Sequence, residues 1–154
     1  VKEGEVDQAL KMTREKTYPS IGYMVEQGAT TIWERWELLT VEHMNSHNHP
    51  MHGAFLVWFL KGLGGLEPVP SGKGSELNVH PSIPKELDWV EVKRESLNGE
   101  IRIKWEKEKK GVKMEIHVPW NTKVHVRIPE GYLYQGEKEF LLKSGNYEMF
   151  LNEQ

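Results

Sequence analysis

A glutamate close to two tryptophans is the strongest candidate for chemistry in this sequence. Glu34 lies in the run GATTIWERW, residues 28–36, directly after Trp33 and two positions before Trp36. Carbohydrate sites place aromatic rings against the apolar C–H face of a pyranose and carboxylates against its hydroxyl groups. A glutamate in such a pocket can also act as a proton donor or acceptor. The competing interpretation is that Glu34 pairs with Arg35 or another neighbour while both indoles pack in a core.

Four of the seven histidines fall within ten residues: His43, His47, His49 and His52. His43 and His47 stand four residues apart, as ligands on one helix face would, and zinc is the metal that such a cluster suggests. Cysteine is absent, the HExxH arrangement does not occur, and Pro50 interrupts any helix that would align the later histidines. We therefore predict loop histidines that hydrogen-bond a ligand or the backbone, with no metal and no cofactor.

Helical periodicity governs the first part of the chain. Apolar residues recur every three or four positions from residue 5 to about residue 16, which predicts a short amphipathic helix. A second helix is predicted from about residue 50 to 63, with proline in its first turn and glycines at its end. This helix is apolar almost all the way round, so it needs neighbours on every side. Residues 1–65 hold too few partners for it, and we predict that they are the last helices of a larger helical array.

Period-two alternation takes over after a breaker-rich linker at residues 66–74. Alternating apolar and polar residues predict strands at residues 89–93, 101–105, 112–118 and 124–128. Asn98-Gly99 and Lys110-Gly111 are tight-turn signals that join the first three of these strands as hairpins. Because each strand has one apolar face, residues 75–154 are predicted to form an antiparallel β-sandwich. Its predicted core includes Trp89, Trp105 and Trp120.

Composition limits the class of protein. The 154 residues carry 20 Lys and Arg against 23 Asp and Glu, a formal net charge of −3. This balance argues against nucleic-acid binding, which usually leaves a basic face. No apolar run approaches the roughly 18 to 20 residues that cross a bilayer, so we expect no membrane partner. The chain opens at Val1 and not at Met, which suggests a piece of a longer protein. The sequence does not fix the compartment, although the cytoplasm is slightly favoured.

The order of these motifs resembles the C-terminal part of bacterial α-L-rhamnosidases. In the first half the resemblance is carried by YPS and GYM within residues 18–24, EQGATTIWERW at 26–36, and NHPM with Gly53 ahead of the apolar helix. In the second half the strings LDWVEVKRESLNGEIRIKWEKE and VHVRIPEG are similar to the β-sandwich that closes those enzymes. The resemblance implies an α+β fold: the last helices of an (α/α)6 barrel over residues 1–65, a linker over 66–74, and an antiparallel β-sandwich over 75–154.

The resemblance also implies an activity. The family hydrolyses terminal α-L-rhamnose with inversion: one carboxylic acid protonates the leaving group and one carboxylate activates water, with the two carboxyl groups roughly 6.5 to 9.5 Å apart. On the family pattern Glu34 is the general base, His49 contacts rhamnose, and Trp33 and Trp36 line or support the pocket. Nothing in this chain matches the stretch that carries the general acid, so the chain alone is predicted to be inactive. The implied partners are rhamnose-containing glycosides and the upstream part of the same enzyme.

Two other classes of protein stay open. A non-catalytic carbohydrate-binding β-sandwich module with a helical lead-in would also account for the tryptophans of the second half. A metal-binding protein would account for the histidine cluster. Sugar affinity of residues 70–154 tests the first class, and metal analysis of the purified chain tests the second.

Overall fold

The chain divides into two compact units, residues 1–58 and residues 59–154. The computed structural model describes residues 5–38, 46–70 and 75–154. The domain boundary that the sequence predicts at residue 65 stays a prediction. Within the described ranges, no helix is both long enough and apolar enough to cross a membrane.

Short helices make up the regular structure of the first unit. They are α1 (Val6–Arg14), α2 (Ile21–Glu26) and a 3-10 helix (Pro50–Leu56). α1 agrees with the predicted amphipathic helix and buries Leu10. Ser20 precedes α2, and its side chain accepts a hydrogen bond from Tyr23 N at 2.8 Å and so caps the helix.

Gly28 ends α2 and turns the chain toward Glu34. Its φ is +82°, in the left-handed region that favours glycine. Gly28 N donates to Val25 O at 2.9 Å, and Ala29 N donates to Met24 O at 3.0 Å. This pair of hydrogen bonds is a Schellman C-cap, which satisfies the last carbonyl groups of the helix. Gly28, the first residue of the GATT run, is therefore needed to end the helix.

The segment predicted as one helix over residues 50–63 is helical, but not a regular α-helix. The 3-10 helix (Pro50–Leu56) is followed by a short α-helical stretch and by a π-helical turn at Phe59–Leu63. Gly64 N donates to the carbonyl group of Phe59, five residues earlier, at 3.1 Å. The prediction of a helical segment is confirmed, while its division into three helix types is something that apolar periodicity does not predict. No residue of the 3-10 helix is buried.

Nine strands form two sheets in the described part of the second unit. They are β1 (Leu66–Pro68), β2 (Glu76–Val79), β3 (Trp89–Ser96), β4 (Gly99–Glu108), β5 (Gly111–Val118), β6 (Lys123–Arg127), β7 (Tyr132–Leu133), β8 (Glu139–Leu142) and β9 (Gly145–Glu153). One sheet has the order β1-β2-β6-β8 and the other the order β3-β4-β5-β9-β7. β1 lies inside the segment that composition predicts as a linker, so part of that segment belongs to a sheet.

One cluster of buried apolar side chains fills the space between the two sheets, and it confirms the α+β class with a β-sandwich. The four-stranded sheet contributes Leu66, Leu77, Val79, Val124, Val126 and Leu142, and the five-stranded sheet contributes Val92, Ile101, Ile103, Trp105, Val112, Met114, Ile116, Val118, Met149 and Leu151. The strands pair antiparallel except β2 and β6, which are parallel. A parallel pair needs a long connection, and here the three strands β3 to β5 of the other sheet supply it.

The predicted hairpins are confirmed, but two of the three tryptophans predicted for the core are exposed. Trp105 is fully buried, whereas Trp89 is 59% and Trp120 84% exposed. Trp89 pairs with the exposed Glu106, and the next pair, Val90 with Trp105, faces the other side of the sheet. Alternation therefore directs Trp89 outward. Trp120 lies in the turn between β5 and β6, where neither sheet face covers it.

The Trp105 indole ties the beginning of the second unit to its sheets. Its Nε1 donates to Leu63 O at 2.8 Å, in a fully buried position. Next to this bond, Ser82 N donates to Gly62 O at 2.9 Å. The last carbonyl groups of the π-helical turn are therefore satisfied by the β-sandwich and not by further helix.

Glycine is required just after this turn, where the chain passes close to another backbone segment. Gly65 has φ of +68°, and a Cβ atom added there would lie 2.1 Å from the carbonyl carbon of His80. His80 N also donates to Gly65 O at 2.9 Å. The close approach and the hydrogen bond fix the backbone path from the π-helical turn into β1.

We expect Trp105→Phe to lower the free energy of unfolding by about 3 kcal/mol, because it leaves a buried carbonyl group without its donor and a void where the larger ring packed. Trp89→Phe is the matched control, since it makes the same change at an exposed indole, and it should cost less than about 0.5 kcal/mol. Urea unfolding followed by far-ultraviolet circular dichroism measures both. Equal losses in the two variants would contradict the anchoring role of Trp105.

Candidate functional site

A cavity of about 850 Å³ opens in the first unit. Its apolar lining residues are Ala9, Met12, Pro19, Ile21, Met24, Ile32, Trp33, Trp36, Met51, Ala54, Phe55 and Trp58. Its polar lining residues are Thr13, Glu15, Ser20, Glu34, Arg35 and His52. A cavity of this volume with mainly apolar walls and a few polar groups is typical of a small-molecule site.

The carboxylate of Glu34 lies at this cavity and is held by the backbone. Ser46 N donates to Glu34 Oε2 at 3.0 Å, and Glu34 N donates to Ser46 O at 2.9 Å. Among the residues that the structure describes, Oε1 accepts no hydrogen bond, and the side chain is 36% exposed. Arg35 contacts the carboxylate of Glu37 instead of Glu34. The alternative in which Glu34 is neutralised by Arg35 is therefore not what the structure shows.

The two tryptophans beside Glu34 both line the cavity but differ in burial. Trp33 is buried, and its ring lies 5.1 Å from the ring of His47 between centroids. His52 Nδ1 donates to Trp33 O at 3.2 Å, which fixes the backbone next to Glu34. Trp36 is 44% exposed. Trp33 thus supports the wall, while Trp36 leaves much of its indole surface uncovered.

His49 lies beside Glu34 but is not among the cavity-lining residues. Its Nδ1 is 3.9 Å from Glu34 Oε2, which is longer than a hydrogen bond. Its ring centroid lies 4.6 Å from that of His52, which does line the cavity. The fourth histidine of the predicted cluster, His43, lies outside the described residues. Within the described ranges, no three His, Asp or Glu side chains come together as metal ligands.

A backbone pairing that the sequence does not reveal builds this site. Residues 31–34 run beside residues 46–49, with His49 N donating to Ile32 O at 2.8 Å and Thr31 Oγ1 donating to His47 O. Together with the Glu34–Ser46 bonds, these contacts bring His49 next to Glu34 although the two are distant in sequence. Neither segment has the alternation of a strand, so no pattern in the sequence points to the pairing.

Glu15 is a second carboxylate at the cavity, and sequence analysis missed it. Its Oε1 accepts hydrogen bonds from Thr17 Oγ1 at 2.7 Å and from Thr17 N at 2.9 Å. These hydrogen bonds, led by the one from the hydroxyl group, hold the pKa of Glu15 below its ordinary value. Glu15 is therefore poorly suited to donate a proton near neutral pH. The cavity lining thus combines the Glu34 carboxylate, the partly exposed indole of Trp36 and Arg35, whose guanidinium group contacts Glu37.

The curated relatives that this chain matches are named alpha-L-rhamnosidase. An alpha-L-rhamnosidase of Formosa agariphila is 33% identical over 132 residues, which cover 82% of this chain and 14% of that protein. An alpha-L-rhamnosidase of Streptomyces avermitilis is 30% identical over 132 residues, which cover 82% of this chain and 13% of that protein. The chain thus spans 13 to 15% of the length of the curated relatives it matches.

Solved structures agree with these relatives. The alpha-L-rhamnosidase from Dictyoglumus thermophilum covers 97% of this chain at 31% identity with a TM-score of 0.84, and the chain covers 19% of it. The Streptomyces avermitilis alpha-L-rhamnosidase complexed with L-rhamnose covers 97% at 26% identity with a TM-score of 0.81, and the chain covers 16% of it.

Two family models match successive parts of the chain and leave only short stretches unmatched. Residues 1–63 match the bacterial alpha-L-rhamnosidase 6 hairpin glycosidase domain. Residues 65–140 match the bacterial alpha-L-rhamnosidase C-terminal domain. The chain belongs to the bacterial α-L-rhamnosidase family, and it matches the C-terminal region of these enzymes.

Proposed function

We propose that the complete protein is a glycoside hydrolase that removes terminal α-L-rhamnose with inversion, and that Glu34 is its general base. The observation that carries the proposal is the position of the Glu34 carboxylate, at a cavity with an open indole and held by a backbone donor. In this proposal the chain supplies the base and part of the sugar pocket, and the upstream part of the same enzyme supplies the general acid.

The geometry of Glu34 suits proton abstraction from water. In inverting hydrolysis the base takes a proton from the water whose oxygen attacks the anomeric carbon, while the acid gives a proton to the departing oxygen. The hydrogen bond from Ser46 N to Oε2 orients the carboxylate. Within the described part of the chain Oε1 accepts no hydrogen bond, which leaves that oxygen for the water.

The surrounding side chains suit a deoxy sugar. Rhamnose carries a methyl group and an apolar C–H face, and the half-exposed indole of Trp36 can stack on such a surface. A neutral imidazole donates through one nitrogen and accepts through the other, which suits a hydroxyl group that does both. We assign this role to His49, which lies 3.9 Å from the Glu34 carboxylate. The L-rhamnose in the Streptomyces avermitilis structure supports the choice of sugar.

The acidic residues closest to Glu34 in sequence are poor candidates for the general acid. A general acid needs a pKa raised toward the working pH, whereas hydrogen bonds from Thr17 lower the pKa of Glu15. Glu26 pairs with Lys16 at 2.6 Å, and Glu37 pairs with Arg35. Glu42 lies outside the described residues. These contacts support an acid that belongs to a preceding part of the barrel.

Exposed apolar side chains support a partner for the first unit. Met12, Val25, Met51 and Leu56 are each more than half exposed, at 65%, 62%, 74% and 51%. Met12 and Met51 both line the cavity, and a contiguous exposed apolar surface marks a ligand groove or an interaction site. Because the relatives are far longer than this chain, we propose that the missing partner is the upstream part of the same enzyme.

Glu34→Gln in the complete enzyme should lower kcat by about 10² to 10⁴ while rhamnose still binds, because the amide keeps the shape of the side chain but cannot take a proton. Steady-state assays on an aryl α-L-rhamnoside measure the rate, and calorimetry measures rhamnose binding. Glu26→Gln is the matched control, since Glu26 pairs with Lys16 and does not line the cavity. Near-normal turnover of Glu34→Gln would remove Glu34 from the mechanism.

His49→Ala should raise KM or lower kcat by about tenfold, the effect of losing one hydrogen bond to a sugar hydroxyl. Chelators should have no effect on the unsubstituted enzyme. His47→Ala is a useful comparison, because His47 packs against the buried Trp33 and should act mainly through stability. Activity that a chelator removes and zinc restores would reverse the assignment of His49 from sugar contact to metal ligand.

The 154-residue chain alone should not hydrolyse an aryl α-L-rhamnoside, because inverting hydrolysis needs both carboxyl groups on one rigid scaffold. Mixing it with the separately produced upstream part should restore turnover, and the same mixture with Glu34→Gln should stay inactive. Turnover by the chain alone would show that one of its own carboxyl groups serves as the acid. The proposal of a shared active site would then be wrong.

A further inference from the structure

An exposed tryptophan stands beside a groove at one end of the β-sandwich. Trp120, in the turn between β5 and β6, is 84% exposed. The groove has a volume of about 320 Å³, at the lower end of the range for ligand sites. Its lining includes Trp120 together with the polar residues Asn98, Glu100, His117 and Asn146. The volume suits one sugar ring and is too small for a folded peptide.

The turn that carries Trp120 is fixed by side-chain hydrogen bonds. Thr122 is buried, and its Oγ1 donates to Trp120 O at 3.2 Å. Asn98 Nδ2 lies 3.2 Å from both Asn121 O and Thr122 Oγ1, which accept from it. Asn121 has φ of +52°, so the turn holds a conformation that few residues adopt. The hydrogen bonds hold the backbone of the turn in one conformation, so the exposed indole is preorganised for stacking.

The polar residues of the groove offer both donors and acceptors. His117 Nδ1 donates to Asn146 Oδ1 at 2.6 Å, across the pairing of β5 with β9. In the neutral ring this leaves His117 Nε2 as an acceptor, and it directs the amide nitrogen of Asn146 as a donor. Glu100 adds a carboxylate, which disfavours an anionic ligand. A neutral ring with several hydroxyl groups matches this combination.

We propose that this groove is a non-catalytic saccharide site that takes a single neutral pyranose, with Trp120 stacked on its C–H face and His117 and Asn146 bound to its hydroxyl groups. The site goes beyond the hydrolytic function proposed above and does not involve Glu34. It would hold a glycan substrate on the β-sandwich independently of cleavage.

Trp89 provides an internal comparison. Its indole is also exposed, at 59%, and it lies on β3 of the same sandwich. It does not line this groove. If an exposed indole were enough to bind a sugar, the two tryptophans would respond alike.

The test is a titration of the ¹⁵N-labelled 154-residue chain with L-rhamnose, and with D-galactose as a second neutral pyranose. The indole N–H signals of the six tryptophans are followed individually, and Trp120→Ala assigns the relevant one. We expect a saturable shift of the Trp120 signal with a Kd of about 1 to 10 mM for at least one sugar. Asn146→Ala should weaken that binding by about tenfold, whereas Trp89→Ala should leave it within about twofold.

Three results would overturn the proposal. The Trp120 signal could stay unchanged with both sugars, or Trp89→Ala could weaken binding as much as Asn146→Ala. The third is protection of Trp120 from acrylamide quenching in the complete enzyme, which would assign the groove to a contact with another part of that enzyme. Unchanged thermal unfolding of each variant is the control for folding. Failure of Glu34→Gln to affect hydrolysis would leave this test unaffected, so the two proposals can fail separately.

Discussion

The hydrogen bond from the Trp105 indole to Leu63 O decides where the helical part of the chain ends and the sandwich begins. The match to the glycosidase domain extends to residue 63, yet the second compact unit already begins at residue 59. The last turn of the glycosidase match is therefore built into the β-sandwich. Because Trp105 is fully buried, the bond is shielded from water and its loss leaves an unpaired carbonyl group. The sandwich thus holds the π-helical turn at Phe59–Leu63, which belongs to the same compact unit.

The candidate site depends on backbone geometry more than on side-chain pairing. Glu34 is oriented by Ser46 N, and the pairing of residues 31–34 with 46–49 brings the histidines to it. In the described part of the chain the Glu34 carboxylate pairs with no Arg or Lys, and Arg35 contacts Glu37 instead. This bears on the role proposed for Glu34, because a tightly paired carboxylate is a weaker proton acceptor.

Sequence reasoning succeeded where a short-range pattern carries the information. The alternation of Ile101, Ile103 and Trp105 with charged neighbours placed the inner face of β4 correctly, and the turn signals placed the hairpins. The prediction of a core position is wrong for Trp89 and Trp120, because strand parity and turn position, and not residue type, decide where these side chains lie. Parity read from Val90 and Val92 would have directed Trp89 outward. The parallel pairing of β2 with β6 and the non-α geometry after Pro50 are set by distant contacts, which no local pattern contains.

At the candidate site, the residues that the motif around Glu34 singles out lie close together. Glu34, Trp33 and Trp36 all line it, while His49 stands beside the carboxylate and outside the lining. The difference in burial between the two indoles, and the presence of Glu15, follow from how α1, α2 and the 3-10 helix pack. That packing could not be derived without knowing the loop pairing.

The position of β9 has a consequence for how this sandwich can be cut and synthesised. β9 lies inside its sheet, between β5 and β7, although it is the last strand of the chain and follows the end of the C-terminal family match at residue 140. A polypeptide stopped at that residue would leave the eight residues of β5 as an open edge, which invites intermolecular strand pairing and aggregation. On the ribosome the same sheet stays incomplete until β9 has emerged, so the five-stranded sheet closes late in the synthesis of the sandwich.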